Sequence, residues 1–204
     1  MAILLLRHGE TALNAARVLQ PADTPLSERG QAQAEALAAR LARGRVAAIL
    51  SSDLPRALMT AAPLAERCGL PVRTSALLQE RNFGALRGRA YDTLGFDPQV
   101  MDEAPEGGES TADFAQRVQQ AFEEMLVQHV GLDGDLAVVT HGLLIRVLLA
   151  GALNLDTERL QGLTLANTSV TIFDATPPHA LSLLNCTRHL DADTAVLPRG
   201  LSGG

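Results

Sequence analysis

Histidine and arginine residues follow three short apolar runs of the sequence at close range. Such runs are typical of buried parallel strands, so these polar side chains stand where strands are expected to end. The runs and the residues after them are 2–6 with Arg7 and His8, 46–50 with Arg56, and 136–140 with His141.

This set of side chains suits attack on a phosphate ester. A phosphomonoester at neutral pH carries nearly two negative charges, which must be neutralised while the nucleophile is held in line. Two arginines and a second histidine could supply that neutralisation. A neutral imidazole is a competent nucleophile near pH 7, because its unperturbed pKa is about 6.5. His8 is therefore the candidate nucleophile, and it needs no metal for its activation.

The oxygen that leaves phosphorus needs a proton, and Glu80 is the candidate acid. It follows Leu77-Leu78-Gln79 and begins an irregular segment that could fold over the site. A carboxylic acid within hydrogen-bonding reach of the leaving oxygen can donate that proton.

Strands are predicted at the three apolar runs, at Val72–Thr74, and in a closing hairpin of Val170–Phe173 and Leu181–Asn185. Helices are predicted between them. Ser27 is expected to cap a helix over 28–43, Asp53 a helix towards Arg67, and Ser110 a third helix.

Alternating strands and helices predict an α/β fold, a three-layer α/β/α sandwich with a mostly parallel sheet. Ligands bind such sheets beyond the carboxyl ends of the strands, so His8, Arg56 and His141 should converge at one edge. We expect a single domain over 1–190, a lid over 81–109 that determines substrate choice, and a flexible tail over 191–204.

Composition excludes several classes of protein. The net charge of -6 argues against nucleic-acid or membrane binding, and no apolar run approaches the length of a membrane span. Two distant cysteines and the lack of a signal peptide favour the cytoplasm. All 17 basic residues are arginine, which excludes a P-loop and Schiff-base chemistry, since both need lysine.

Several motifs, in order along the chain, resemble those of the histidine phosphatase, or phosphoglycerate-mutase-like, superfamily. The resemblance covers roughly residues 1–190. The motifs are Arg7-His8-Gly9-Glu10-Thr11 with Asn14, Asp23 to Gly30, Ser51-Ser52-Asp53-Leu54 with Arg56-Ala57, Glu80 with Phe83-Gly84, Gly107-Gly108-Glu109-Ser110, Thr140-His141-Gly142, and Asn167-Thr168-Ser169.

The resemblance implies a phosphoglycerate mutase-like fold and a role for each matching residue. His8 would take the phosphoryl group as phosphohistidine, and Glu80 would protonate the leaving group and then activate water. The implied phosphoryl-binding residues are Arg7, Arg56 and His141, and the implied secondary contacts are Asn14, the Gly142 amide, the weaker Thr11, and Gln20 in the pocket wall. No cofactor is implied, and the expected partner is a small-molecule phosphate ester.

The superfamily contains mutases as well as phosphatases, and three features favour a phosphatase here. The mutases carry a longer insertion after the acid motif, with a lysine, whereas this chain has no lysine and a short segment. They also have asparagine where Leu143 follows Gly142. A phosphoglycerate mutase and a non-catalytic phospholigand-binding module remain the alternatives.

These residues allow other interpretations. His8, Glu80 and His141 could form a metal site, but the flanking arginines would repel a cation. The sequence does not identify the substrate. The late apolar strands could pair across a homodimer. Arg81, Arg87 and Arg89 are either solvated charges or a mouth for anionic substrate, Arg146 is interpreted as structural, and His129, His179 and His189 are expected to be surface residues without partners.

Overall fold

A computed structural model describes residues 1–191 of the chain, and the tail predicted over 191–204 lies outside them except for its first residue. Six strands form one sheet in the order β3-β2-β4-β1-β5-β6. The first four strands of that order run parallel, and β5 and β6 pair antiparallel to β1 and to each other. The strands are β1 Ala2–Arg7, β2 Val46–Ser51, β3 Val72–Thr74, β4 Asp135–Thr140, β5 Val170–Asp174 and β6 Leu181–Cys186.

Helices cover both faces of this sheet, which confirms the predicted α/β class with a mostly parallel sheet. They are α1 Ala12–Ala15, α2 Glu28–Leu41, α3 Pro55–Cys68, α4 Thr111–His129, α5 Gly142–Ala150 and α6 Thr157–Gln161. None of the described helices is both long and apolar enough to pass through a membrane. The sequence did not predict the short α6.

Side chains alternate between the two faces of each strand, so the sheet separates two apolar cores. The core beneath α4 and α5 includes Leu5, Val138, Phe114 and Ile145. The core beneath α2 and α3 includes Leu6, Val139, Leu37 and Leu64. Both faces of β1 and β4 are therefore buried, which explains their continuous apolar sequences.

Two of the three predicted helix caps are confirmed. The Ser27 side chain accepts a hydrogen bond from the Gly30 amide at 3.0 Å, and Ser110 forms a capping box with Asp113. Asp53 as a cap is wrong. The cap position of α3 is Leu54, because Pro55 fixes the first helical residue. The Asp53 carboxylate instead accepts a hydrogen bond from the Gln79 side chain at 2.7 Å.

The segment 81–109 contains two short 3-10 turns, Gly84–Leu86 and Tyr91–Thr93, and is bound to the chain after α1. The Leu19 amide donates to the Arg89 carbonyl at 3.0 Å, and the Tyr91 amide donates to the Arg17 carbonyl at 2.9 Å. Gly84 has a φ of +49°, and a Cβ there would lie 2.0 Å from the Glu106 carbonyl oxygen. Only glycine fits at this close approach.

The edge strand β6 has a partner strand on one side in the described part of the chain. A second copy could pair there, and the homodimer stays a prediction.

Candidate active site

His8 lies at the carboxyl end of β1 and is almost completely buried. Its amide donates to the Thr140 carbonyl at 2.9 Å, which ties it to the neighbouring β4. The ring nitrogen Nδ1 is 2.7 Å from the Gly9 carbonyl oxygen. A carbonyl oxygen only accepts, so Nδ1 carries the proton and Nε2 keeps its lone pair.

The backbone around His8 is held from both sides. The Asn167 side-chain amide donates to the His8 carbonyl at 3.0 Å, and the Thr168 amide donates to it at 3.3 Å. A Cβ on Gly9 would lie 2.5 Å from the Gly30 carbonyl oxygen. The glycine after His8 is therefore required for the loop to pack against α2.

Arg7 and Arg56 flank His8 from β1 and from the first turn of α3. Arg7 donates to the Leu165 carbonyl, and Arg56 is 3.3 Å from the Pro21 carbonyl oxygen. Within residues 1–191, the Nε of each guanidinium is buried without a hydrogen-bond partner. Unpaired buried donors on two cations are well suited to bind an anion.

Burial and the arginines keep His8 neutral. Burial lowers its pKa well below 6.5, and the positive charges of Arg7 and Arg56 lower it further. Burial also lowers the pKa of Arg56, to about 10, so this guanidinium stays protonated at neutral pH.

His141 ends β4, and its ring centroid lies 5.1 Å from that of His8. Its Nε2 is 2.9 Å from the Ser52 hydroxyl oxygen, and its buried Nδ1 has no partner among the described residues. Ser52 accepts a hydrogen bond from the Leu54 amide at 3.3 Å, and its hydroxyl proton can point to His141 Nε2. In that arrangement the His141 proton lies on Nδ1, where it is available as a donor.

Burial also lowers the pKa of His141 well below 6.5, and His8, Arg56 and Arg7 contribute to the same shift. His141 is therefore a neutral donor at neutral pH.

The carboxylate of Glu80 lies at the N-terminus of α5. One oxygen accepts from the Leu143 amide at 3.0 Å, and the other accepts from the Leu144 amide at 3.2 Å. These bonds connect the predicted acid to the helix that begins directly after His141. A Cβ on Gly142 would lie 3.2 Å from Arg7 Nε, so the small residue leaves room for that guanidinium.

A cavity of about 460 Å³ opens at this edge of the sheet. Six of its lining residues are arginines, and Glu80 is the one acidic residue lining it in the described part of the chain. The lining comprises Arg7, His8, Leu13, Asn14, Arg17, Val18, Leu19, Gln20, Arg56, Glu80, Arg81, Phe83, Arg87, Tyr91, Gln99, Gly142, Leu143, Arg146, Thr164 and Leu165.

Thr11 and His141 are the two predicted site residues outside this lining. His141 lies behind it, against the His8 ring. Thr11 is fully buried, donates to the Gln20 side chain at 2.8 Å and accepts from the Asn14 amide at 2.9 Å. The structure thus places Thr11 where it orients two residues that do face the cavity.

The three lid arginines differ in their environments. Arg81 is buried and donates to the backbone carbonyls of Glu109 and Met101. Arg87 lines the cavity, whereas Arg89 is exposed and does not. Arg146 bonds the Leu160 and Leu163 carbonyls, in agreement with a structural role, and also lines the cavity.

Several cavity residues were not found from the sequence. Arg17 has a left-handed backbone conformation with a φ of 54°, which no local sequence motif predicts. Tyr91 is the only tyrosine of the chain, and its hydroxyl accepts a hydrogen bond from the Gln99 side chain at 3.3 Å. Burial raises the pKa of Tyr91. Its position in the predicted lid was the one sequence feature that indicated a place at the cavity.

The expectation that His129, His179 and His189 are surface residues without partners is wrong for His179 and His189. His179 packs edge-on against Phe122, with 5.1 Å between ring centroids. His189 is half-buried and contacts the Thr168 hydroxyl at 3.0 Å and Arg40 at 3.2 Å. Tertiary contacts between distant residues produce both environments, and spacing along the chain does not show them.

Metal ligands are not clustered in residues 1–191, where no group of three or more His, Cys, Asp or Glu side chains could hold a metal ion.

Comparison with known proteins agrees with this geometry. The sequence model of the histidine phosphatase superfamily (branch 1) matches residues 3–187. A relative from Yersinia pestis, named "Probable phosphoglycerate mutase GpmB", is 35% identical over 182 residues, which cover 84% of each chain.

Solved structures show the same fold. A mycobacterial glucosyl-3-phosphoglycerate phosphatase complexed with VO3 is 32% identical, with a TM-score of 0.78 over 91% of this chain and 99% of that one. A phosphoserine phosphatase mutant from Entamoeba histolytica, in complex with phosphoserine, is 26% identical, with a TM-score of 0.78 over 93% of this chain and 98% of that one.

Proposed function

The chain belongs to the histidine phosphatase superfamily, and from this premise we propose that it hydrolyses a small phosphomonoester, without a metal, through a phosphohistidine on His8. The observation that carries the proposal is the state of His8. Its Nδ1 is bound to the Gly9 carbonyl, its pKa is lowered by burial, and it lines a cavity flanked by Arg7 and Arg56. The remaining nitrogen, Nε2, is a neutral nucleophile beside two cations.

In the first step, the phosphoryl oxygens bind the free N–H groups of Arg7, Arg56 and His141. Nε2 of His8 then forms a bond to phosphorus as the bond to the ester oxygen breaks. Glu80, as the carboxylic acid, gives its proton to that oxygen, and the alcohol leaves. The arginines lie beside the charge that develops on the phosphoryl group and stabilise it.

In the second step, Glu80 acts as the base. Its carboxylate takes a proton from water, and the water oxygen attacks phosphorus as the bond to Nε2 breaks. Inorganic phosphate leaves, and His8 and Glu80 return to their starting states. One residue serves as acid and then as base, because the two steps occur at the same position relative to phosphorus.

The test compares the wild type with His8→Ala on p-nitrophenyl phosphate in the presence of a chelator. We expect the variant to lose at least about a thousandfold in kcat, because removal of a nucleophile eliminates the covalent route. Equal phosphate release by the two proteins would favour a non-catalytic phospholigand-binding module.

A phosphoglycerate mutase is the second candidate, since the Yersinia pestis relative carries that name. The lack of lysine and Leu143 after Gly142 favour the phosphatase. Fast conversion of 3-phosphoglycerate to 2-phosphoglycerate with bisphosphoglycerate, and with little phosphate release, would support the mutase instead.

The cytoplasm is the proposed location. Cys68 and Cys186 are both free thiols, which suits a reducing compartment.

A further inference from the structure

The orientation of one peptide group decides which nitrogen of His8 can attack phosphorus. The Gly9 carbonyl oxygen lies 2.7 Å from His8 Nδ1 and keeps the ring proton there, which leaves the lone pair on Nε2. In a trans peptide the carbonyl and the N–H of the next residue point in opposite directions. If this peptide group turned over, the Glu10 N–H would face Nδ1, and the proton would move to Nε2, where it blocks attack.

Gly9 does not fix this orientation by itself. A Cβ on Gly9 would lie 2.5 Å from the Gly30 carbonyl oxygen, so the packing of the loop against α2 excludes larger residues. Glycine populates many more backbone angles than other residues, and a peptide group can turn over when only the angles on its two sides change. The residue that the packing requires is therefore the one that least resists the turn.

The peptide groups before and after this one are held by separate hydrogen bonds. The Gly9 amide donates to the Thr60 hydroxyl at 3.0 Å, and the Glu10 carbonyl accepts from the Ser27 amide at 2.9 Å. These bonds fix the two neighbouring peptide groups, but they do not determine which way the peptide group between Gly9 and Glu10 faces.

Gln33 supplies the missing contact. Its side-chain oxygen accepts a hydrogen bond from the Glu10 amide at 2.9 Å, on the side of the peptide group opposite to His8. Gln33 is buried in α2, one turn after Gly30. A Cβ on Gly30 would lie 2.0 Å from the Glu10 carbonyl oxygen. The helix thus approaches the loop closely enough for the Gln33 side chain to reach the amide.

We propose that Gln33 is a positioning residue for the nucleophile: it holds the Glu10 amide, directs the Gly9 carbonyl to His8 Nδ1, and so keeps the attacking lone pair on Nε2. This inference rests on the proposed function, in which His8 attacks phosphorus. In the described part of the chain the cavity lining does not include Gln33, so it acts through the backbone and not on the substrate.

The first test measures the tautomer of His8. Gln33→Met has a similar length but lacks the oxygen, whereas Gln33→Glu keeps an oxygen that can accept from the amide. Gln31→Met is the control, because Gln31 is exposed on the same helix. Nitrogen chemical shifts are recorded on protein with ¹⁵N-labelled histidine, and the His8 signals are those missing in His8→Ala. We expect the proton on Nδ1 in the wild type, in Gln33→Glu and in the control, and a mixture of both tautomers in Gln33→Met.

The second test separates attack from phosphate binding. With p-nitrophenyl phosphate, Gln33→Met should lower kcat/KM about tenfold, the scale of one lost hydrogen bond. The inhibition constant of inorganic phosphate should change little, because Arg7 and Arg56 keep their places. A general disturbance of the fold would weaken phosphate binding as well. Gln33→Glu and the control should retain the wild-type kcat/KM.

A His8 proton that stays on Nδ1 in Gln33→Met would overturn the proposal, and so would the same tautomer mixture in Gln33→Glu. Either result leaves the phosphatase standing as long as the wild type releases phosphate. A wild type that releases none from p-nitrophenyl phosphate would overturn the phosphatase, while the tautomer measurement would still decide the role of Gln33. If circular dichroism shows Gln33→Met to be unfolded, Gln33→Asn takes its place with the same expected results, since its shorter side chain withdraws the oxygen from the amide.

Discussion

At the scale of single residues, the site depends on two neutral imidazoles among positive charges. His8 and His141 are buried side by side, and each has a pKa well below 6.5 because burial disfavours the charged form. In the proposed mechanism, the protonated form of His8 has no lone pair for phosphorus, so the surrounding arginines would keep the nucleophile active while they bind the substrate. The same charges that would attract the phosphate thus disfavour protonation of His8.

The hydrogen bond between Ser52 and His141 gives a prediction about the tautomer. An asparagine side chain places its amide near the Nδ1 position of histidine, and a glutamine places its amide near Nε2. If Nδ1 donates to the phosphoryl group, His141→Asn should retain about tenfold more kcat/KM than His141→Gln. Nitrogen chemical shifts of His141 in the wild type should show the proton on Nδ1.

Ser52→Ala removes the partner of His141 Nε2, together with the hydrogen bond that the Ser52 hydroxyl accepts from the Leu54 amide. We expect it to mix the two tautomers in the nitrogen spectrum and to lower kcat/KM. Equal losses in the asparagine and glutamine variants, or a proton found on Nε2, would show that His141 faces the phosphate in another way.

His189 gives a prediction about stability and pH. Burial and then the charge of Arg40 lower its pKa to about 4, against 6.5 in its unperturbed state. Between these two values the unfolded chain binds more protons than the folded one, so stability falls as the pH decreases through that window. His189→Gln should therefore make the free energy of unfolding less dependent on pH between about 6.5 and 4.

Urea unfolding of both proteins at pH 8 and at several lower pH values measures this. At pH 8 the imidazole is neutral in both states, so any difference there reports packing alone. A variant with the same pH slope as the wild type would mean that His189 titrates normally in the folded protein.

At the scale of elements, one ion pair connects helix α4 to the proposed acid. Arg117 binds both oxygens of the Glu109 carboxylate at 2.7 Å and donates to the backbone carbonyls of Gln79 and Glu80 at 2.7 and 3.3 Å. Glu109 also accepts from the Asn82 amide at 2.8 Å. Burial alone would raise the pKa of Glu109, but hydrogen bonds from Arg117 and Asn82 lower it overall. This network positions the chain on both sides of Glu80.

Arg117→Gln should therefore impair proton donation more than phosphate binding. An alkyl phosphate needs a proton on its leaving oxygen, whereas p-nitrophenolate leaves without one. We expect kcat for glycerol 3-phosphate to fall about tenfold more than kcat for p-nitrophenyl phosphate, as for a moderate loss of general acid catalysis. A control at a second arginine near α4 is Arg73→Gln, which removes an exposed hydrogen bond to Gln128 and should affect neither substrate. Equal losses of kcat with both substrates would mean that Arg117 contributes only to the stability of the fold.

The elements that could be predicted from the sequence are those that depend on residues close together in the chain. Ser27 and Ser110 precede helices, and the apolar run 2–6 is a buried strand, because capping and burial patterns act over a few residues. Positions that depend on tertiary contacts were not predictable. Ser52 contacts His141 across 89 positions of the chain, and Arg117 reaches Leu77 across 40. Asp53 was misassigned because Pro55 sets the start of α3 one residue later than the capping pattern suggests.

At the scale of the whole molecule, charge is distributed unevenly. The chain has a net charge of -6, yet its cavity is lined by six arginines and one carboxylate. A concave positive site in a negative protein focuses its field on small anions and does not favour extended polyanions. The family model matches residues 3–187, a range that includes every proposed catalytic residue, and the single domain over 1–190 stays a prediction.

The central claim is that phosphorus becomes bonded to His8, and trapping the phosphoenzyme tests it most directly. p-Nitrophenyl phosphate labelled with ³²P, whose leaving group needs no proton from Glu80, is mixed with the enzyme and quenched in alkali within the first turnover, because phosphohistidine survives alkali and is lost in acid. We expect a base-stable label on the peptide that contains His8, no label in His8→Ala, and longer-lived label in Glu80→Gln, which cannot activate water. A label on another residue, or turnover of the wild type with no labelled protein at any time, would contradict it.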